Sequence, residues 1–456
     1  MKAGKKDLIK LMASKLEKIV SYAFYLFIFL LPWQTRWIWH QGFLNGGAWE
    51  YGTLSLYGVD ILFVLIFLVS IFLPRPKKPR HGVFLMIIAG LALVSFISII
   101  YSQNREVSWY YFLKLAEAVL LVVYVLRQPL HWRKISLAFI SAGVIQAVLG
   151  IYQFFTQSVF ASKWLGMAAQ SPDQIVGESV VATSAGRWLR AYGSFPHPNI
   201  LAGFLVVCLI FLIGYLFIIR AHLRVRVWQI VLTVSAFVVT AFGLILTFSR
   251  AAWLVFGVCL LFCLLIAWLQ KNKFRVRILL EIFAWLIMLA VFSYVQLPEL
   301  WHTRLTATGR LETMSLTQRT EQYSQAETVL NKYWTYGAGL GSYTYALYQN
   351  HSSLEAWDYQ PVHNIYILAA AEIGVFGGLL ILLLAMEFFR QAFVIHWKKL
   401  DEDQWFFVYT IAFLALLLLG FFDHYLWTMS FGVLFFWLIF GLWLKRLRRV
   451  TDKSRD

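Results

Sequence analysis

Residues 228–269 read WQIVLTVSAFVVTAFGLILTFSRAAWLVFGVCLLFCLLIAWL. The two apolar runs within it, 228–247 and 251–269, are each long enough to cross a hydrocarbon core of about 30 Å as a helix. The join between them carries one charge, Arg250. A permanent guanidinium at the edge of hydrocarbon costs roughly 2.5–3.5 kcal/mol on insertion scales. Such a residue either snorkels to the headgroups or meets an anion, and the neighbouring sequence holds no obvious counter-charge.

Working outward from this pair, comparable runs fall near 18–33, 58–74, 83–101, 109–126, 135–157, 198–219, 278–297, 365–388, 406–424 and 430–444. The pattern predicts an all-α polytopic membrane protein of about twelve transmembrane helices, a single membrane domain over 1–456. With the N-terminus in the cytosol the spans alternate cleanly, both termini are cytosolic, and the turn at Arg250 faces outward. Three longer segments then lie outside: 34–57, 158–197 and a large, partly helical loop at 298–364. Loops held on a rigid scaffold carry most sites, so function is expected on that face.

Composition agrees with this class, at 60% hydrophobic and 18% aromatic residues and a mean hydropathy of +0.67. A net charge of +17 invites a nucleic-acid partner, but its distribution excludes one. Most Lys and Arg fall in cytosolic connections and tails, among them Lys2, Lys5, Lys6, Arg75, Lys77, Lys78, Arg80, Arg220, Arg224, Arg226, Lys271, Lys273, Arg275, Arg277 and Lys445 to Arg449. This is the positive-inside bias of a multi-pass protein. The N-terminal run has no small-residue cleavage site after Leu31-Pro32-Trp33 and reads as a signal-anchor. Cys208, Cys259 and Cys263 lie inside apolar runs, so no disulfide framework follows.

Within the large loop, Thr317, Arg319, Tyr323, Ala326 and Leu330 recur along one helical face. The loop then reaches Gly337-Ala338-Gly339-Leu340-Gly341. A Gly-x-Gly-x-Gly could cradle phosphate, but here it follows a helix instead of a strand; a helix stop and tight turn is the favoured reading.

The external cations are few enough to weigh singly. Arg319 follows Ser315 and Thr317 and has Glu312 or Glu321 as a surface ion-pair alternative. Arg187 and Arg190 precede the sixth span beside Trp188 and Tyr192, where interface anchoring is the alternative. His363, where the large loop meets the membrane, suits a general base, against an interfacial hydrogen-bonder; His424, next to Asp423, is a weaker candidate of the same kind. Gly-x-Ser-x-Gly, Walker, His-Glu-x-x-His and Cys-x-x-Cys patterns are absent. Asp401-Glu402-Asp403, beside Lys398 and Lys399, reads as a solvated charge run rather than a metal pair.

Four segments resemble one family. Ser249-Arg250-Ala251-Ala252-Trp253-Leu254, Gly193-Ser194-Phe195-Pro196-His197-Pro198-Asn199, Gln318-Arg319 ahead of Tyr336-Gly337-Ala338-Gly339-Leu340-Gly341, and His363-Asn364-Ile365-Tyr366 with Glu372-Ile373-Gly374 closely resemble the O-antigen ligase and polymerase superfamily. The resemblance covers roughly residues 190–380. It implies a fold similar to C-type membrane glycosyltransferases, and an enzyme that moves a glycan from a polyprenyl diphosphate to an acceptor hydroxyl outside the cytosol, with inversion and without a metal or other cofactor. The membrane implied is the cell's inner membrane. In those terms Arg250 and Arg319 bind the diphosphate and His363 is the base. Arg187, Arg190, Asn199, Tyr336, Asn364 and His424 are further candidates for substrate contact.

The acceptor, whether glycolipid, glycan or protein, is unnamed, so a polymerase of lipid-linked repeat units and a protein O-oligosaccharyltransferase are the close alternatives. Trp188, Tyr192, Trp334, Tyr336, Tyr343 and Tyr345 could offer sugar-stacking faces, against an aromatic belt. A transporter or flippase of anionic lipid-linked substrate is the alternative of another class. It would need the intramembrane charges Lys114, Glu117, Glu281, Glu372 and Glu387, and no two-fold repeat accompanies them.

Overall fold

The computed structural model of the protein describes residues 2–73, 82–174, 177–184, 186–221, 226–306 and 310–452. Arg75, Lys77, Lys78, Arg80 and Arg224 lie outside the described residues, as do the side chains of Lys2, Lys5, Lys6, Glu312 and Ser315.

The chain runs α1 (Lys2–Leu30), α2 (Gly58–Ser70), α3 (Gly82–Ile100), α4 (Arg105–Arg127), α5 (Trp132–Thr156), α6 (Pro198–Ala221), α7 (Val227–Leu246), α8 (Arg250–Leu269) and α9 (Lys273–Gln296). It continues with α10 (Pro298–Thr306), α11 (Arg310–Tyr333), α12 (Tyr343–Asn350), α13 (Ile365–Phe389), α14 (Lys399–Glu402), α15 (Gln404–Leu419), α16 (Tyr425–Thr428) and α17 (Ser430–Asp452). Every expected span is occupied by a helix. Among the described residues nine, α3 to α9, α13 and α17, are long and apolar enough to cross a membrane, while α2 and α15 are shorter apolar helices. α6 and α17 are almost wholly buried and form the centre of the bundle; α9 is mostly exposed at its edge.

Irregular chain gathers at one end. There β1 (Arg36–His40) pairs antiparallel with β4 (Leu54–Tyr57), β2 (Phe43–Leu44) with β3 (Gly47–Ala48), and β5 (Val180–Thr183) with β6 (Gly186–Leu189). These small hairpins are additions to the all-helical expectation. Side-chain bonds tie the three segments together: Thr35 Oγ1 donates to the Trp164 carbonyl (2.6 Å), Asn45 Nδ2 to those of Ser352 and Leu354 (2.7 Å each), and Ser184 Oγ to Glu299 (3.1 Å).

The glycine turn closes this end. Gly337 and Gly339 adopt φ of 78° and 103°, and a Cβ at either would collide, with the Glu372 carbonyl and the Ser102 side chain respectively. The reason lies opposite, where α13 leaves helical geometry at Ile373 and Gly374. The carbonyls of Ala371 and Glu372 there accept from the N–H groups of Ala338 (2.8 Å) and Gly339 (2.9 Å). The Glu372 carboxylate accepts from the Trp427 indole (2.8 Å) and from the backbone N–H of Gly341 and Tyr343. The turn therefore spends its donors on α13, which is the packing role preferred over a phosphate cradle.

The other intramembrane charges are likewise internal. Lys114 pairs with Asp60 and lies 3.9 Å from Glu117, Glu281 pairs with Arg220 and Arg277, and Glu387 with Arg390. Asp401-Glu402-Asp403 is a set of staples: Asp401 meets Arg275 (3.4 Å), Glu402 meets Lys399, and Asp403 caps α15 and takes the Arg446 fork. The loop helix expected around Thr317 to Leu330 is α11; among its described side chains Ala326 and Val329 are buried, whereas Tyr323 is 44% exposed.

Candidate active site

Between α7 and α8 the chain reverses within three residues, and Phe248 adopts φ 47°. A bulky residue holds that conformation only where packing fixes it. Its ring is fully buried, against Phe154, Trp253 and Trp301. Two carbonyls at the end of α7 are thereby presented to cations: that of Thr247 accepts from Arg190 Nε (2.6 Å) and that of Phe248 from Arg304 Nε (2.9 Å). α8 then begins at Arg250 itself, whose Nη1 donates to the Arg304 carbonyl at 3.4 Å. A helix N-terminus carries about half a positive charge and unpaired N–H groups, so Arg250 stands where a second source of positive potential already exists.

His363 is brought in by a separate clamp. Asn364 caps α13, its Oδ1 accepting from the N–H of Tyr366 (3.0 Å) and Ile367 (3.2 Å). The start of α13 is locked to the end of α15 through Ile365 N–H to the Gly420 carbonyl (2.8 Å) and Tyr366 Oη to that of Leu417 (2.7 Å). α15 stops at Leu419, short of the expected 424. Asp423 and His424 are thereby freed from the helix and set beside His363; the His363 and His424 rings meet edge-on at 5.0 Å.

α11 completes the wall. Its Gln322 Oε1 lies 2.7 Å from His363 Nδ1; with that oxygen accepting, Nδ1 carries the proton and Nε2 keeps its lone pair. Arg250, Arg319, His363, Arg190, Arg304 and Asn199 all line one cavity of about 440 Å³. Four guanidiniums face it, with Glu178 the carboxylate among its lining residues.

Burial sets the protonation of the histidines. His197 is pushed down to about 3 by burial and by the Arg190 charge, and His424 to about 3 by burial and by His363. His363 is lowered by burial and Arg319, against the opposing pull of Asp423. All three imidazoles are neutral at pH 7, and a neutral imidazole can take a proton. Burial opposes ionisation of Asp423, but the His424 N–H and the pull of His363, His424 and His197 in their protonated forms hold it below the ordinary carboxylate value.

The remaining candidates divide. Arg190 is buried and its Nη2 donates to Asn199 Oδ1 (2.8 Å), whose Nδ2 donates to Asp423 (3.3 Å). His424 lies behind His363, held by Thr428 (2.8 Å). Arg187, bonded to the Gln174 carbonyl (2.8 Å), and Tyr336, stacked on Tyr101 at 4.1 Å, sit away from the cavity lining, and Asn364 is occupied as a cap. None of the six proposed stacking aromatics lines the cavity; Tyr192 and Tyr343 are core residues.

Arg304, Gln322, Ser179 and Asp423 were not singled out from sequence. Gln322 was findable, since Gln318, Arg319 and Gln322 share a helical face at i, i+3 and i+4 spacing. Asp423 and Arg304 carry no local signal; only tertiary contacts bring them in.

One group among the described residues has metal-ligand geometry. His363, Asp423 and His424 each offer an atom, all within 4.8 Å of one another. Two imidazoles and a carboxylate suit a divalent transition ion; of the three, only His363 lines the cavity that four guanidiniums face, and there a dication meets repulsion that an anion does not.

Residues 235–382 match the family model described as O-antigen ligase, a stretch that includes Arg250, Arg319, the glycine turn and His363. No curated protein matches the chain.

Proposed function

We propose that this chain, whose residues 235–382 match the O-antigen ligase family model, belongs to the O-antigen ligase and polymerase superfamily and is a membrane glycosyltransferase transferring a glycan from a polyprenyl diphosphate to an acceptor hydroxyl. The observation that carries the reading is the convergence of Arg250, Arg319 and His363 on one cavity at the N-terminus of α8.

A diphosphate diester brings about two negative charges, and its leaving oxygen gains more as the glycosidic bond breaks. Arg250 and Arg319 stabilise that charge, because a guanidinium meets phosphate oxygens with a planar fork and stays ionised. His363 takes the proton of the acceptor hydroxyl. The oxygen then bonds to the anomeric carbon, the carbon–oxygen bond to phosphate breaks, and its electron pair leaves on the polyprenyl diphosphate. A single displacement of this kind inverts the anomeric centre. Asp423 stabilises the imidazolium that forms, and Gln322 fixes the ring.

In this reading both termini are cytosolic, the cavity opens on the outer face of the inner membrane, and 158–197 and 298–364 are its external loops. Ligase, polymerase and protein O-oligosaccharyltransferase activities share the chemistry and differ in acceptor, glycolipid, glycan or protein. The transporter alternative would work through the intramembrane charges, of which Lys114, Glu281 and Glu387 have ion-pair partners in the fold and Glu372 accepts from the Trp427 indole.

In this reading Arg250 and Arg319 supply the charge stabilisation that a metal would otherwise give. Purified protein given a polyprenyl-diphosphate-linked glycan and an acceptor should form product at the same rate with and without excess EDTA. A strict requirement for added Mg²⁺, Mn²⁺ or Zn²⁺ would reassign His363, Asp423 and His424 as metal ligands.

A further inference from the structure

A second cavity, of about 330 Å³, lies among the β1–β4 hairpin, the outer turns of α4, the segment 159–170 and the start of α17. Its size is within the range of about 300–1,000 Å³ typical of small-molecule sites. Its chemistry is unlike that of the arginine cavity. The two cations facing it are already matched, Arg36 by the Glu50 fork (2.5 and 3.1 Å) and Lys114 by Asp60. What remains is a neutral wall of tyrosine rings, Tyr51, Tyr57, Tyr110 and Tyr111, with the amides of Gln34 and Gln170 between them. Gln170 Oε1 is buried there with no hydrogen-bond partner, an arrangement that calls for a donor from a ligand or solvent. Flat aromatic faces interleaved with neutral donors and acceptors fit a ring bearing many hydroxyls, and give an anion nothing to pair with.

Only a thin partition separates the two cavities. Pro196 lines the tyrosine cavity and the next residue, His197, the arginine cavity. The His424 ring stands between them, edge-on to Tyr51 at 5.8 Å on one side and to His363 at 5.0 Å on the other. Thr428, which holds the His424 ring at 2.8 Å, also lines the tyrosine cavity. The arginine cavity includes the proposed base, and the tyrosine cavity reaches it only through the His424 ring.

We propose that the tyrosine-walled cavity is a saccharide subsite that holds a sugar of the acceptor, on the far side of the Pro196–His424 wall from the arginine cavity. The assignment to acceptor, rather than to the donor glycan, rests on the transferase reading above: in a single displacement the nucleophile arrives on the face opposite the departing diphosphate, and the diphosphate belongs with Arg250 and Arg319.

Two measurements on the full-length protein test it. Saturation-transfer NMR with the methyl glycosides of glucose, galactose and N-acetylglucosamine should show contact with at least one. That signal should be lost in Gln170→Ala and in Gln34→Ala, and should survive excess sugar-free polyprenyl diphosphate. No signal from any glycoside, or a signal indifferent to both substitutions, would overturn the subsite. In the transfer assay both variants should raise the acceptor KM by about tenfold, the value of one lost hydrogen bond to a sugar hydroxyl at about 1.4 kcal/mol per decade, with the donor KM within about twofold. A raised donor KM with the acceptor KM unchanged would make the cavity a donor-glycan site and sink the acceptor assignment. Failure of the transferase reading looks different: glycoside binding would persist and respond to both substitutions while wild-type protein released no polyprenyl diphosphate.

Discussion

His363→Ala is expected to abolish transfer, by about 10²–10⁴-fold, the usual contribution of a positioned general base, while binding of the polyprenyl diphosphate persists. The two effects separate because His363 and the arginines face the same cavity from different elements: His363 ahead of α13, Arg250 at the head of α8, Arg319 on α11. Removing the imidazole leaves both guanidiniums and the α8 N-terminus in place. The pH profile gives an independent reading. Burial and Arg319 lower the His363 pKa, so the base stays neutral further into acid than an ordinary histidine of about 6.5. The acid limb of kcat/KM should therefore fall with a midpoint below that value and vanish from the residual rate of His363→Ala. Wild-type activity in this variant, or an acid limb above the ordinary histidine value, would take His363 out of the mechanism.

Arg250→Lys should lower kcat/KM by about 10- to 100-fold although the charge is kept. Lysine offers a point charge where arginine offers a fork, and one charge-assisted hydrogen bond lost at about 1.5–3 kcal/mol accounts for a factor of that size. The fold should tolerate the change, since Arg190 and Arg304 hold the turn by the carbonyls of Thr247 and Phe248. An unchanged rate would return Arg250 to the role of a snorkelling interface residue. Circular dichroism and elution behaviour equal to wild type would show that a lowered rate is chemical and not a folding defect.

The bundle was legible in the sequence because hydrocarbon demands long apolar helices, and every expected run is one. The candidate site was legible where a residue breaks a local rule: Arg250 between two apolar runs and His363 at a loop's return to the membrane. What escaped was long-range. Asp423 was hidden in an apolar run that looked helical to residue 424, and only the halt of α15 at Leu419, with α13 bonded to Gly420, brings it to His363. Arg304 had no motif; its function as a cap on Phe248 depends on a left-handed turn that no propensity signals. Tyr336 and Arg187 misled for the opposite reason, being suitable residue types near family-like motifs that the fold turns elsewhere.

The account stands on one placement: a lipid diphosphate between Arg250 and Arg319, within reach of His363. The most direct measurement is an experimental structure of the full-length protein in a lipid nanodisc with a sugar-free polyprenyl diphosphate added. The account predicts phosphate density at the N-terminus of α8, with both guanidiniums at charge-assisted hydrogen-bond distance, about 2.7–2.9 Å, and the isoprenoid leaving sideways into the bilayer. Phosphate density elsewhere, with neither Arg250 nor Arg319 in contact with it, would contradict it.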